Sequence, residues 1–99
     1  MKLCTGIGFV TASIKREGLS SYKLLILKPI DDSGHPTGES FLAVDTVGAG
    51  LSEVVAVTTG SPATHALGDK TLPVDAAVIA ICDHVTINKK EIDTKTKED

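Results

Sequence analysis

The sequence predicts an all-β fold, a small five-stranded antiparallel barrel with one short helix, and three observations lead to this prediction. Short apolar stretches alternate with turns rich in glycine, proline and aspartate. Helical signals are nearly absent, since a single short stretch has both a cap and a stop. Apolar residues make up 41% of the chain but aromatic residues only 3%. The core must therefore consist of Val, Ile, Leu and Ala, which suits closely spaced strands.

Length and charge limit the domain organisation and the partners. At 99 residues the chain predicts one domain. We expect residues 1–88 to form the barrel and residues 89–99 to form a charged C-terminal tail. The tail has four lysines against two aspartates and two glutamates, and Ile92 is its one apolar residue. The net charge of −3 therefore belongs to the barrel, which argues against nucleic acid or an anionic membrane as partner.

The predicted strands are residues 3–14, 22–29, 39–46, 53–59 and 76–85. The second, fourth and fifth contain runs of apolar residues, so neither of their faces is polar. One face can fill the barrel, but so short a chain has little helix to cover the other face. We therefore expect a second copy of the protein as the cover, with Leu25 and Leu27 at the subunit interface.

The only helix signal lies at residues 61–68. Ser61 can cap the first turn, Pro62 suits the first helical position, and Gly68 can end the helix. About two turns would be enough to plug one end of a barrel. Five short strands with one short helix are similar to the oligonucleotide-binding fold.

The stretch Gly48-Ala49-Gly50 forms a corner between the third and fourth strands. Two glycines two apart allow positive φ or the close approach of another chain. The nearest ionisable side chains, Asp45 and Glu53, flank the corner, and none stands at its tip. We therefore expect the corner to act through its shape, at a subunit interface or around a central opening.

Reactive motifs are absent from the sequence. It contains no phosphate-binding loop, no dinucleotide fingerprint and no zinc-ligand spacing. We predict no catalytic residue, no cofactor and no metal. One alternative is an oligonucleotide-binding-type module for a small ligand or nucleic acid, which the negative charge and three aromatic residues disfavour. The other is a small enzyme built around His65, which lacks a nucleophile nearby.

Cysteine use and the lack of targeting signals predict a soluble cytosolic protein. Cys4 and Cys82 lie within apolar stretches, which indicates buried free thiols, with a disulfide as the alternative. There is no basic and apolar leader, and no apolar run reaches the roughly 20 residues that span a bilayer.

Several segments recur together, in order, in one protein family. They are Lys2-Leu3 with Gly6, Lys23-Leu24-Leu25, Val44 to Gly50 with Glu53-Val54-Val55, Gly60-Ser61-x-Ala63, and Pro73 to Ile81. Over residues 2–87 the chain thereby resembles the bacterial microcompartment vertex proteins, the ethanolamine-utilisation and carboxysome pentamer family. The resemblance implies a barrel that forms a cyclic pentamer, caps the five-fold vertices of a polyhedral shell beside hexameric shell proteins, and has no catalytic activity. Thr64 departs from the family, which often has arginine there.

Overall fold

The structure, a computed structural model, describes residues 1–16, 18–60, 63 and 75–94, and it describes residues 14–16 and 18–21 by their backbone alone. The described residues form seven strands: β1 (Lys2–Arg16), β2 (Gly18–Pro29), β3 (Phe41–Asp45), β4 (Val54–Thr59), β5 (Ala76–Ile81), β6 (Val85–Ile87) and β7 (Lys90–Ile92). Except for the buried Ala63, the predicted helix lies outside the described residues. No helix in the described part is long and apolar enough to cross a membrane.

Five strands close into a barrel in the order β1-β2-β3-β5-β4. The all-β prediction is confirmed, but the antiparallel prediction is wrong at one place, because β3 and β5 run parallel. The other four pairings of the barrel are antiparallel. Directions can alternate all the way around only when the number of strands is even. A closed ring of five strands must therefore contain a parallel pair.

The strand boundaries differ most from the prediction in the hairpin of β1 and β2 and at the end of β5. β1 and β2 form a long hairpin, and their outer halves pair only with each other among the described strands. The fifth strand was expected to run to residue 85, but β5 ends at Ile81 and Val85 begins β6. The chain therefore leaves the barrel four residues earlier than the apolar pattern indicated.

Alternate residues of the barrel strands fill the interior. The buried core cluster consists of Cys4, Leu25, Leu27, Ala43, Ala49, Val55, Val57, Ala76 and Val78. Small alanines beside leucine and valine fit the narrow interior of a small barrel. Burial raises the pKa of the Cys4 thiol to about 11, so this group stays protonated and unreactive at neutral pH. Cys4 and Cys82 are both free thiols.

The first part of the predicted tail is folded. β6 and β7 pair as a hairpin whose turn residues, Asn88 and Lys89, have φ of 53° and 66°, as a two-residue type I′ turn requires. Ile92 is buried against Gly34 in the loop between β2 and β3. The carbonyl of Thr94 accepts the N–H of Val54 at 2.9 Å. The hairpin is therefore attached to the barrel at two places.

Two glycines of the β2–β3 loop form a matched pair for testing this attachment. Gly34 and Gly38 both have positive φ, of 85° and 74°. A Cβ at Gly34 would overlap Cγ2 of Ile92, whereas a Cβ at Gly38 would meet open space. We expect Gly38→Ala to lower the free energy of unfolding by about 1 kcal/mol from backbone strain alone. Gly34→Ala should cost about 3 kcal/mol, since it also displaces Ile92. Urea unfolding measures both, and equal losses would contradict the docking of the hairpin.

The hairpin also carries a pH-dependent contact. Nδ1 of His84 lies 2.9 Å from Oε1 of Glu91. The hydrogen bond that the His84 ring donates to the Glu91 carboxylate, and then the negative charge of that carboxylate, raise the pKa of His84 above its ordinary value of 6.5. A histidine whose pKa is higher in the folded than in the unfolded protein stabilises the fold when it is charged. This stabilisation is complete when the pH is below the pKa of the unfolded protein, and it is lost as the pH rises through the pKa of the folded protein.

We expect NMR titration of His84 to give a midpoint above 6.5, because charged histidine is favoured beside the carboxylate. Glu91→Gln removes that charge and should bring the midpoint down. The same midpoint in both proteins would show that the two side chains do not interact in solution.

Candidate functional site

The carboxylate of Asp45 accepts backbone N–H groups of the glycine corner. Oδ1 of Asp45 accepts the N–H groups of Val47 at 3.0 Å, Gly48 at 2.9 Å and Ala49 at 3.2 Å. The Asp45 side chain is 2% exposed. A buried carboxylate requires such donors in place of water. The amides of the corner are therefore used by the chain's own carboxylate and are not free to bind an anion from solution.

An ion pair closes the barrel at the same end. Nζ of Lys23 lies 3.6 Å from Oδ2 of Asp45 and donates to the carbonyl of Ala49 at 3.1 Å. It also lies 5.7 Å from the centre of the Phe9 ring. On β2, Lys23 lies on the same inward face as Leu25, two residues before it along the strand and just outside the buried core. The lysine therefore ties β2 to the corner.

The two glycines of the corner have different reasons to lack a side chain. Gly48 has φ of +74°, with open space around it. Gly50 does not have positive φ, but a Cβ there would lie 2.8 Å from Oε1 of Glu53. That oxygen accepts the N–H of Gly50 at 2.6 Å. Gly48 therefore serves the backbone conformation, and Gly50 leaves room for a carboxylate.

The corner folds back over β1. The N–H of Ser52 donates to the carbonyl of Gly6 at 3.0 Å. A Cβ on Gly6 would lie 3.5 Å from the carbonyl oxygen of Gly50, an ordinary van der Waals distance, so the corner packs directly on β1 at this point. Val47 and Leu51 remain exposed at the rim of the corner. Apolar side chains at this rim are available to another molecule.

The predicted interface residues of β2 lie inside the barrel. Leu25 and Leu27 are 1% and 0% exposed and belong to the core of the single chain. Leu24 and Ile26 point the other way and are half-buried. Leu25 and Leu27 therefore cannot touch a neighbouring subunit without unfolding, whereas Leu24 and Ile26 can.

Two rows of residues make an apolar surface on the outside of β1, β2 and β3. One row joins Gly8, Ile26 and Leu42, and the other joins Val10, Leu24 and Val44, of which Val44 is buried. Directly opposed residues share a face of the sheet. Leu42 is 50% exposed. A Cβ on Gly8 would lie 3.2 Å from Cδ1 of Ile26, so the glycine makes room for that side chain. We term Val10, Leu24, Ile26 and Leu42 the apolar ridge.

The ionisable groups of the described part do not converge on a reactive centre. No group of three or more His, Cys, Asp or Glu side chains there could hold a metal ion. His35 and His84 are exposed and lie beside different carboxylates, Asp31 and Glu91. Residues 64–74, which include Thr64 and His65, lie outside the described residues, as does Ser61.

Asp45 and Asp31 provide a test of how the corner is held. The carboxylate of Asp31 also accepts two N–H groups, from Ser33 and His35 at 2.9 Å, but its side chain is 45% exposed. We expect Asp45→Ala to cost about 3 kcal/mol of unfolding free energy, because three N–H groups of the corner and the Lys23 ammonium group lose a carboxylate that the fold has already buried. Asp31→Ala should cost about 1 kcal/mol, since water can replace its carboxylate. Urea unfolding compares the variants, and similar losses would show that the corner does not depend on Asp45.

Comparison with known proteins agrees with the family indicated by the sequence. The family model described as ethanolamine utilisation protein EutN/carboxysome matches residues 1–83. The bacterial microcompartment shell vertex protein EutN of Escherichia coli is 40% identical over 85 residues, covering 86% of this chain and 90% of that protein. The carboxysome shell vertex protein CcmL of Synechococcus elongatus is 36% identical over 92 residues, which cover 93% of each chain.

Solved structures give the same result for the fold. The structure of Gloeobacter violaceus CcmL matches with a TM-score of 0.80 and 37% identity, covering 96% of this chain and 98% of that chain. The GrpN pentameric microcompartment shell protein from Rhodospirillum rubrum matches with a TM-score of 0.70 and 39% identity, covering 89% and 99%. The resemblance noted in the sequence is confirmed, and the chain belongs to the EutN/CcmL family of ethanolamine utilisation and carboxysome proteins.

Proposed function

We propose that this protein is a structural shell protein that caps the five-fold vertices of a bacterial microcompartment as a homopentamer. The observation that carries the proposal is its similarity, over nearly the whole chain, to proteins named as shell vertex proteins. One similar structure is that of a pentameric microcompartment shell protein. Those relatives are structural proteins, so we assign no catalytic residue and no cofactor here.

The surface of the barrel supports self-association. Where the barrel strands are paired on both sides they leave no edge for another strand, so contacts there come from side chains. The outer halves of β1 and β2 pair only with each other among the described strands, so each keeps one free edge. Leu42 and Val10 of the apolar ridge are 50% and 40% exposed. Burying such surface is worth about 25 cal/mol per Å². A closed ring covers the same surface on every subunit.

The fold of the barrel and its function are separate questions. We infer an oligonucleotide-binding-like barrel, and five strands that close with two non-sequential pairings, β3 with β5 and β1 with β4, support this. Nucleic acid binding has little support, because it needs a basic groove with exposed aromatic platforms. In the described part Phe9 is exposed, but Tyr22 and Phe41 are half-buried, and the net charge is −3.

The setting of the pentamer follows from shell geometry. Flat facets can be tiled with six-fold units, and closing such a sheet into a polyhedron requires five-fold units at its corners. We therefore infer hexameric shell proteins as partners, in a shell that lies in the cytoplasm. The corner of Gly48, Ala49 and Gly50 is proposed to lie at a subunit boundary or beside a central opening, since Val47 and Leu51 leave its rim apolar.

Native mass spectrometry tests the pentamer. We expect a species of five chains of 10.3 kDa each, about 52 kDa, that persists on dilution. Val47→Glu adds a charge at the corner rim and should weaken the ring, whereas Thr86→Glu adds one on exposed β6 and should not. A monomer that shifts on addition of single-stranded DNA would contradict the proposal and favour a nucleic-acid-binding module.

A further inference from the structure

We propose that the apolar ridge of each copy packs against a second outer face of the next copy, formed by Leu3, Ala56 and Ala80 and termed the small face. The inference rests on the proposed pentamer and identifies the two surfaces that meet in it. The occupant of the ridge is a second copy of this chain, and the contact is head-to-tail.

The small face is a continuous row across three strands. Leu3 on β1 pairs with Ala56 on β4, and Ala56 pairs with Ala80 on β5. The next row along, which includes Cys4 and Val55, belongs to the core, so the row of Leu3 points outward. Leu3 and Ala56 are half-buried and Ala80 is exposed. The two alanines leave a shallow surface between larger neighbours.

The two faces have complementary shapes. The ridge carries leucine, isoleucine and valine side chains that project from the sheet, with Leu42 half-exposed. If the ridges of two copies packed against each other, large side chains would meet large side chains and leave gaps around them. Ridge against small face puts projecting side chains over alanines, as a closely packed interface core requires. Neither face contains a charged residue, so burying the two faces against each other does not carry the desolvation cost of a charge.

The positions of the two faces suit a ring. In the order β1-β2-β3-β5-β4 the ridge is centred on β2 and the small face on β4, and these strands are not neighbours. A pair of different surfaces on different sides of a subunit generates head-to-tail contact, which closes as a ring when the rotation fits. A single self-complementary surface would stop at a dimer. The arrangement of the faces therefore favours a cyclic assembly.

A charge exchange tests the pairing of the faces. Leu42→Glu puts an anion on the ridge, and Ala80→Lys puts a cation on the small face. Both positions are exposed in the single chain, so each variant should keep the circular dichroism of the parent. Each change alone buries an unpaired charge at all contacts of the ring, and we expect the subunit association constant to fall at least about a hundredfold. Thr86→Glu, which touches neither face, is the matched control.

The two changes combined in one chain place glutamate opposite lysine at every contact. We expect the double variant to regain the five-subunit species, and to lose it on raising the salt concentration more readily than the parent does. Singles that stay pentameric, or a double variant that stays dissociated like the singles, would overturn the pairing. A parent protein that forms no pentamer would instead overturn the proposed function.

Discussion

Closure of the barrel depends on its shortest seam, the parallel pairing of β3 with β5. Only two residue pairs join there, Val44 with Ala77 and Asp45 with Val78. The Thr46 hydroxyl extends the seam by donating to the carbonyl of Val78. Immediately beyond it, the Asp45 carboxylate holds three amides of the corner. Because a ring of five strands must contain one parallel pair, these polar contacts stabilise the barrel at the point where backbone pairing contributes least.

Closure also decides which apolar residues remain for assembly. Once the ring is complete, Leu25 and Leu27 are inside and Leu24 and Ile26 are outside, although the four residues are equally apolar. The outer residues have no cover within the described part of the chain that would bury them fully. The same closure that makes a stable core therefore leaves a sheet face that favours contact with another copy.

Some of this could be read from the sequence, and some could not. The positions of five barrel strands follow from apolar runs between turn residues. The face of Leu25 could not be predicted, because a run without polar residues does not distinguish one register from the next. The parallel seam was missed because alternation within strands carries no information on their direction. Ile92 was assigned to a tail because charged residues surround it, although Asn88 after Ile87 was a signal for the hairpin turn that places it.

The distribution of charge indicates how such barrels can pack. At one end of the barrel Lys23 pairs with Asp45 beneath the corner. At the other end Nζ of Lys2 lies 4.4 Å from the centre of the Phe41 ring. Lys23 and Lys2, at the two ends, are exposed to water, and bringing their charges into a dry contact would cost several kcal/mol each. The ridge and the small face are uncharged and lie along the sides. Lateral contact between barrels therefore avoids burying the charges, whereas end-to-end contact would bury them.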